Sequence, residues 1–215
     1  MTAASDLLDK LISGGIRLLV VEPGGAMHTR PPANAVILAG SFNPLHFGHE
    51  RLLAAAARLT GRTPCYEISI TNVDKPPIPK EEVERRLRQF RGKAAVALTR
   101  APTFTEKSAL APGSVFAIGF DTAARLFPER YYAKYDPEKD PAHAGSSVAL
   151  AMNTLRRNCC SFIVAGRLGQ DGKFHTIADI AVPPQYRDLL AQLPESDFRA
   201  AVTSTELREK GVGRP

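Results

Sequence analysis

The sequence predicts an α/β fold, a Rossmann-like open parallel sheet with helices on both faces. Five apolar runs of strand length recur along the chain: "AVILAG", "CYEISIT", "AAVALT", "SVFAIG" and "SFIVAGR". Their near-continuous apolar character is what a strand covered on both faces requires. Segments of helical period separate them, and a crossover to a parallel neighbour needs such a connection. Internal repeats, sustained heptads and low-complexity tracts are absent from the sequence.

Residues 5–13 read as a short amphipathic helix. Ser5 caps it, Leu7, Leu8, Leu11 and Ile12 share a face, and Gly14 and Gly15 end it. Residues 16–22, "IRLLVVE", form a strand candidate, and the Pro- and Gly-rich residues 23–32 a loop. Residues 1–32 are therefore expected to be an N-terminal extension that adds an edge element or covers a face. Residues 33–215 are expected to form one domain. Its first strand is "AVILAG", followed by a helix over about 46–59 and the strand "CYEISIT". Prolines exclude regular structure from "NVDKPPIP". A charged helix over 80–92 ends at Gly92 and leads to "AAVALT". "SVFAIG" precedes a helix near "TAARLF", then a polar loop over 128–145 with aromatic anchors. A helix over 146–158 leads to "SFIVAGR"; "TIADIAV" is a further strand candidate, and helical turns mix with prolines beyond about residue 185.

Lys and Arg total 28 against 22 Asp and Glu, a formal charge of +6, which suits an anionic partner such as a phosphorylated small molecule. Basic residues are not interleaved with aromatics as in a nucleic-acid-binding surface, so no nucleic acid is expected. Cys65, Cys159 and Cys160 make no disulfide framework and no zinc spacing, which fits a reducing compartment. The acidic first residues make no signal peptide, and no apolar run reaches the roughly twenty residues of a membrane span. A cytoplasmic location, with the nucleus as an alternative, and no membrane partner are the expectations; homo-oligomerisation is left open.

The stretch "NAVILAGSFNPLHFGHERLLAAAARL", residues 34–59, places two glycines and two histidines where an apolar strand hands over to a helix. In open α/β sheets that end of a strand is where ligands bind. Gly40 lets the backbone turn and approach a ligand closely, and Pro44 stiffens the turn. His46 and His49, three apart at a helix start, share a face, and Gly48 leaves room beside the first turn. The helix start adds unpaired N–H groups and a positive dipole end. Together these groups make a phosphate site. The alternatives for the two histidines are a metal pair or surface residues.

Every specified position of Gly-x-Phe-Asn/Asp-Pro-x-His-x-Gly-His is matched here, and the stretch resembles the signature of the nucleotidylyltransferase superfamily. "VTSTELR" resembles that superfamily's C-terminal signature, "FAIGFDTAARL" its Gly-x-Asp segment, and "FIVAGR" a later strand ending beside the nucleotide. The resemblance spans about residues 34–208. Among its branches, Gly-Ser-Phe-Asn-Pro looks most like nicotinamide-nucleotide adenylyltransferases. "FTEKSALAPGSVFAIGFDTAARLF" and "FRAAVTSTELR" look closest to a fungal and plant cytidylyltransferase-like branch.

The resemblance implies catalytic roles for His46, His49, Lys75 and Arg208. It implies nucleotide contacts for Gly40, Ser41, Phe42, Asn43, Gly48, Gly119, Asp121, Arg167, Ser204 and Thr205. Asp121 has helix capping as its other reading. Arg85, Arg86, Arg88 and Arg91 read as a solvated basic face with Glu partners, one of which can reach the site. The implied reaction is attack of an acceptor phosphate on the α-phosphorus of ATP, with pyrophosphate leaving. The acceptor is nicotinamide or nicotinate mononucleotide, and Mg²⁺ arrives bound to the triphosphate. The attacking phosphate is already an anion, so positioning and charge neutralisation must supply the rate. Relatives commonly stack the pyridine on a tryptophan; this chain has none, which leaves Phe104, Tyr132 or another aromatic for that place. A cytidylyltransferase, another adenylyltransferase of the superfamily, and a non-catalytic nucleotide-binding protein are the rival readings.

Overall fold

The computed structural model describes residues 3–71, 76–128, 131, 148–169 and 171–199. In chain order the elements are α1 (Ala3–Ser13), β1 (Leu18–Val21), β2 (Met27–His28), β3 (Ala35–Ala39), α2 (Phe47–Thr60), β4 (Thr63–Ser69), α3 (Lys80–Leu87) and β5 (Ala95–Thr99). There follow α4 (Phe104–Leu110), β6 (Val115–Gly119), α5 (Phe120–Ala123), α6 (Val148–Arg157), β7 (Ser161–Ala165), β8 (Arg167–Leu168), β9 (Phe174–His175) and β10 (Leu190–Leu193). One eight-stranded sheet runs β10-β7-β6-β3-β4-β5-β1-β2. Its six strands from β10 to β5 are parallel, and β1 and β2 are antiparallel additions. This is the Rossmann-like architecture that the apolar runs predicted.

Side chains alternate along each strand and feed two cores. Val36 and Leu38 of β3 face α1, α2 and α3 with Leu11, Leu53 and Val83. Ile37 faces the opposite layer, where Met152 and Leu155 of α6 cover Phe116 and Phe162. Gly61, in the left-handed region at φ 64°, ends α2 by donating its N–H to Ala57 O at 2.9 Å.

Several boundaries differ from the sequence reading, each for a local reason. The expected helix over 80–92 is α3 followed by a tighter 3₁₀ turn over Arg88–Phe90. "TIADIAV" is not a strand: Thr176 caps a 3₁₀ turn there, and the edge strand is β10, fourteen residues after that cap. Helix α4 was not anticipated, although Thr103 and Glu106 form a capping box that marks its start. Cys160 is buried, whereas Cys159 is exposed, with φ 53°. Among the described residues no helix is long and apolar enough to cross a membrane.

One buried ionic network ties α4 to the sheet. Thr99 Oγ1 donates to Glu67 Oε1 at 2.5 Å, Lys107 Nζ donates to the same oxygen at 3.1 Å, and the ammonium also reaches Ala101 O. Burial pushes the Glu67 carboxyl upward, while Lys107 and Thr99 oppose that shift. A lone acid in the apolar run "CYEISI" is the sequence trace of this network.

The N-terminal segment packs on the sheet edge. β1 pairs with β5, Leu18 opposite Thr99 and Val21 opposite Val96. Arg100 Nη1 donates to Ile12 O at 2.8 Å and Leu11 O at 3.3 Å, satisfying the last carbonyls of α1. Leu8, Leu11 and Leu19 are 3%, 0% and 0% exposed. Deleting residues 2–30 is therefore expected to lower the melting temperature sharply. The single change Leu19→Ala should cost about 2–5 kcal/mol in urea unfolding. An unchanged transition in both variants would refute this packing role.

Candidate active site

The sheet order creates a switch point at β3. The chain moves from β3 to β4 and β5 on one side, then resumes with β6 on the other. Ligand crevices form at the carboxyl ends of strands at such a reversal. The register pairs Leu38 with Ala117, which carries Gly40 to the level of Gly119, and Gly119 pairs with Ala165 of β7. Gly40, Gly119 and the start of β8 thus share one edge of the sheet.

Beyond Gly40 the chain turns at Phe42, which adopts φ 44°. A bulky residue in the left-handed region carries strain of about 1–3 kcal/mol. The ring offsets it. It is 1% exposed and meets His49, Tyr66 and Phe90 edge-on, with centroids at 4.9, 5.2 and 5.4 Å. Full burial of such a ring gives about 1.5–3 kcal/mol, and each aromatic pair adds about 0.5–1.5 kcal/mol. Gly40 is required by that ring: a Cβ there would lie 3.0 Å from Phe42 Cζ. Its N–H donates to Glu67 O at 3.0 Å. The sequence reading gave Gly40 to ligand approach and counted Phe42 among the nucleotide contacts; the structure shows the Phe42 ring supporting the loop from beneath.

Helix α3 and its 3₁₀ turn strap this loop down. Gln89 Nε2 donates to Phe42 O at 3.0 Å, and Gln89 Oε1 accepts Leu45 N–H at 2.8 Å. Arg85 Nη2 donates to Asn43 Oδ1 at 2.6 Å, and Arg86 Nη1 to Ser41 O at 3.0 Å. Both arginines also bond Glu82, and these bonds, that from Arg85 foremost, hold its carboxyl down at about 2. The basic face has its Glu partner in Glu82, and Arg88 and Arg91 are exposed, as expected; the differences are that the Arg86 side chain is only 11% exposed and that two arginines, not one, reach the loop. Sequence reasoning missed Gln89, because a lone glutamine within a charged helix carries no signal.

His46 is the N-cap of α2 in an extended conformation, and Gly48 lies in the first turn between the two histidines. The imidazoles stack with centroids 3.6 Å apart and planes 25° from parallel. The His46 backbone N–H lies 3.4 Å from His49 Nδ1, a long hydrogen bond that makes Nδ1 the acceptor and assigns the ring proton to Nε2. Burial lowers the pKa of His46, partly offset by Glu50; burial, then the neighbouring His46, lowers His49 to about 4. Both rings are therefore neutral at pH 7, and the first turn of α2 offers its N–H groups beside them.

Asp121 and Arg167, both expected near the nucleotide, form an ion pair with each other. Gly119 takes the N-cap position of α5, and Asp121 lies in its first turn, so Asp121 is not the cap. The hairpin β8–β9 brings His175 to 5.4 Å from the Phe120 ring. Ser41 is exposed and Asn43 half-buried. Phe104 packs on Phe116 and Phe162 at 5.3 and 5.2 Å, so its ring belongs to the core. Lys75, Tyr132, Ser204, Thr205 and Arg208 lie outside the described residues.

Two outcomes follow from this geometry. The His49 ring should titrate near pH 4 by NMR and move upward when triphosphate is added; a free-chain midpoint at 6 or above would contradict the buried neutral ring. Because its folded value lies below the unfolded 6.5 or so, the stability it contributes is complete above about pH 6.5 and lost as pH falls toward 4. Gln89→Ala should cost about 1–3 kcal/mol by leaving Phe42 O and Leu45 N–H unpartnered, read as a lowered urea midpoint. A midpoint equal to that of the unaltered chain would show that the loop holds itself.

Comparison with known proteins places the chain in a family. No curated protein matches the chain. A family model described as cytidylyltransferase-like matches residues 37–210, from inside β3 to beyond the C-terminal "TSTELR" segment, and supports nucleotidyl transfer as the general activity. The chain belongs to the cytidylyltransferase-like family.

Proposed function

We propose that this chain transfers an adenylyl group from ATP to a phosphorylated acceptor, nicotinamide or nicotinate mononucleotide, releasing pyrophosphate. The observation that carries the reading is the stacked imidazole pair at the start of α2, beside the switch point of the sheet. The Nε2–H of His49 is a hydrogen-bond donor for a phosphate oxygen and, as the N–H of a neutral imidazole, keeps its proton at neutral pH. The acceptor phosphate attacks the α-phosphorus; the new P–O bond forms as the bond to pyrophosphate breaks. No general base is needed, since the nucleophile is already ionised, so catalysis rests on alignment and on neutralising charge.

Lys75 and Arg208 are the cations this reading assigns to the phosphates, with Ser204 and Thr205 as hydroxyl donors. Arg167 and Asp121 stand at the carboxyl edge, where a ribose or phosphate would have to compete with their mutual ion pair. Mg²⁺ enters as the counter-ion carried by the triphosphate. Among the described residues no group of three His, Cys, Asp or Glu is placed to hold a metal, so no residue is assigned to it. The family description favours CTP as the rival donor. A location in the cytoplasm or nucleus suits an enzyme of such substrates.

Pyrophosphate release from ATP and from CTP, each against a panel of phosphate acceptors, tests the reading. ATP with a pyridine mononucleotide should give the highest kcat/KM, and His49→Ala should reduce it on the order of 100- to 1,000-fold with the fold intact. Turnover with CTP alone would move the assignment to cytidylyl transfer, and no release with any pair would overturn transfer altogether.

A further inference from the structure

A cavity of about 390 Å³ lies away from the imidazole pair, beside the amino-terminal half of β5. Its volume is that of a small-ligand pocket. One wall comes from the N-terminal segment through Leu8, Val21 and Met27. The other comes from the family-matched domain through Leu87, Phe90 and Val96. The first wall precedes residue 37, so the cavity exists only where this extension meets the domain.

Its rim is charged. Glu22 is engaged by His28 Nε2 at 3.0 Å, and Glu84 stands one turn before Arg88. Arg88 and Arg91 are exposed and form no ion pair among the described residues. Arg88 is the first residue of the 3₁₀ turn over Arg88–Phe90, Arg91 follows its end, and both line the cavity. Two arginines at a cavity lined by Leu8, Val21, Met27, Leu87, Phe90 and Val96 match one anionic end on an apolar body.

The same turn holds the site loop from its other side. Gln89 bonds Phe42 O and Leu45 N–H. Phe90 lines the cavity and contacts the rings of Phe42 at 5.4 Å and Tyr66 at 4.8 Å. We propose that this cavity is a regulatory site for a small amphipathic anion, an apolar body bearing a carboxylate, sulfonate or phosphate. Phe90 and Gln89 couple it to the histidine loop. The coupling rests on the reading of that loop as a triphosphate site; the binding does not.

The fluorescent sulfonate 1-anilinonaphthalene-8-sulfonate is a suitable probe on the full chain. It should bind saturably at one site per natively folded chain and survive His49→Ala. Its affinity should fall at least about tenfold in Arg88→Glu/Arg91→Glu, and Met27→Trp, which fills the cavity, should abolish the signal. Saturating probe should shift ATP affinity about fivefold, and Gln89→Ala should remove that shift. Probe affinity unchanged by the double charge reversal, displacement of the probe by ATP at a His49-dependent site, or tighter binding of the cationic dye berberine would each overturn the site. Probe binding with no shift in ATP affinity would overturn the coupling. If ATP does not bind at all, the probe arms still decide the cavity, separating its failure from that of the transferase reading.

Discussion

The burial of Phe42 is the constraint on which the site depends. The chain leaves β3 at Gly40 and must turn sharply to start α2. It does so by forcing Phe42 to φ 44° and driving its ring under the loop, where His49, Tyr66 and Phe90 enclose it. Tyr66 comes from β4, Phe90 from the turn after α3 and His49 from α2, so one ring joins three elements. The left-handed turn is disfavoured by itself, and the aromatic contacts make it the low-energy choice. His49 is consequently positioned by the core rather than by the loop alone.

The layers around that ring support it in different ways. On one face, α3 straps the loop through Gln89, Arg85 and Arg86, with Glu82 fixing the two guanidinium groups. On the other, the Glu67–Thr99–Lys107 network ties α4 to the sheet, and the backbone oxygen of Glu67 takes the Gly40 N–H. A buried pair of this kind adds little net stability over an apolar replacement, but losing one partner leaves a charge in a dry place. Its effect is to fix where the ends of β4 and β5 sit, next to the strand that carries the loop.

The parts legible in the sequence share a cause: they are local. Apolar runs gave the parallel strands, and Gly40 through His49 gave the strand-to-helix loop, because both are written in consecutive residues. Parts that depend on long-range contact were not legible. Nothing local in "KEEVERRLRQF" shows that Gln89 faces Phe42 and Leu45, more than forty positions earlier in the chain. Phe104 was a plausible stacking residue until the sheet placed Phe116 and Phe162 against it. β10 was missed because a strand at a sheet edge needs only four residues, and "LAQL" resembles a helical turn as closely as a strand. Thr103 with Glu106 did carry a local signal for α4, and the strand pattern on either side obscured it.

Under the proposed nucleotidyl transfer, the stacked histidines bear on where positive charge must come from. Two protonated imidazoles at this separation would repel by on the order of 4 kcal/mol at a protein-like dielectric, before any cost of burial. Neutral rings avoid that penalty and still present an N–H to an oxygen, but they cannot balance a triphosphate. The balance has to be supplied by groups that keep their charge, which are lysine and arginine. Among the arginines near the loop, Arg85 and Arg86 are bound to Glu82 and to the loop itself, and Arg167 is bound to Asp121. Under the proposed reaction, the compensating cations are those that reading assigns to the phosphates, Lys75 and Arg208. On this division of labour, imidazoles at the centre set direction and distance, while cations from separate segments supply the charge.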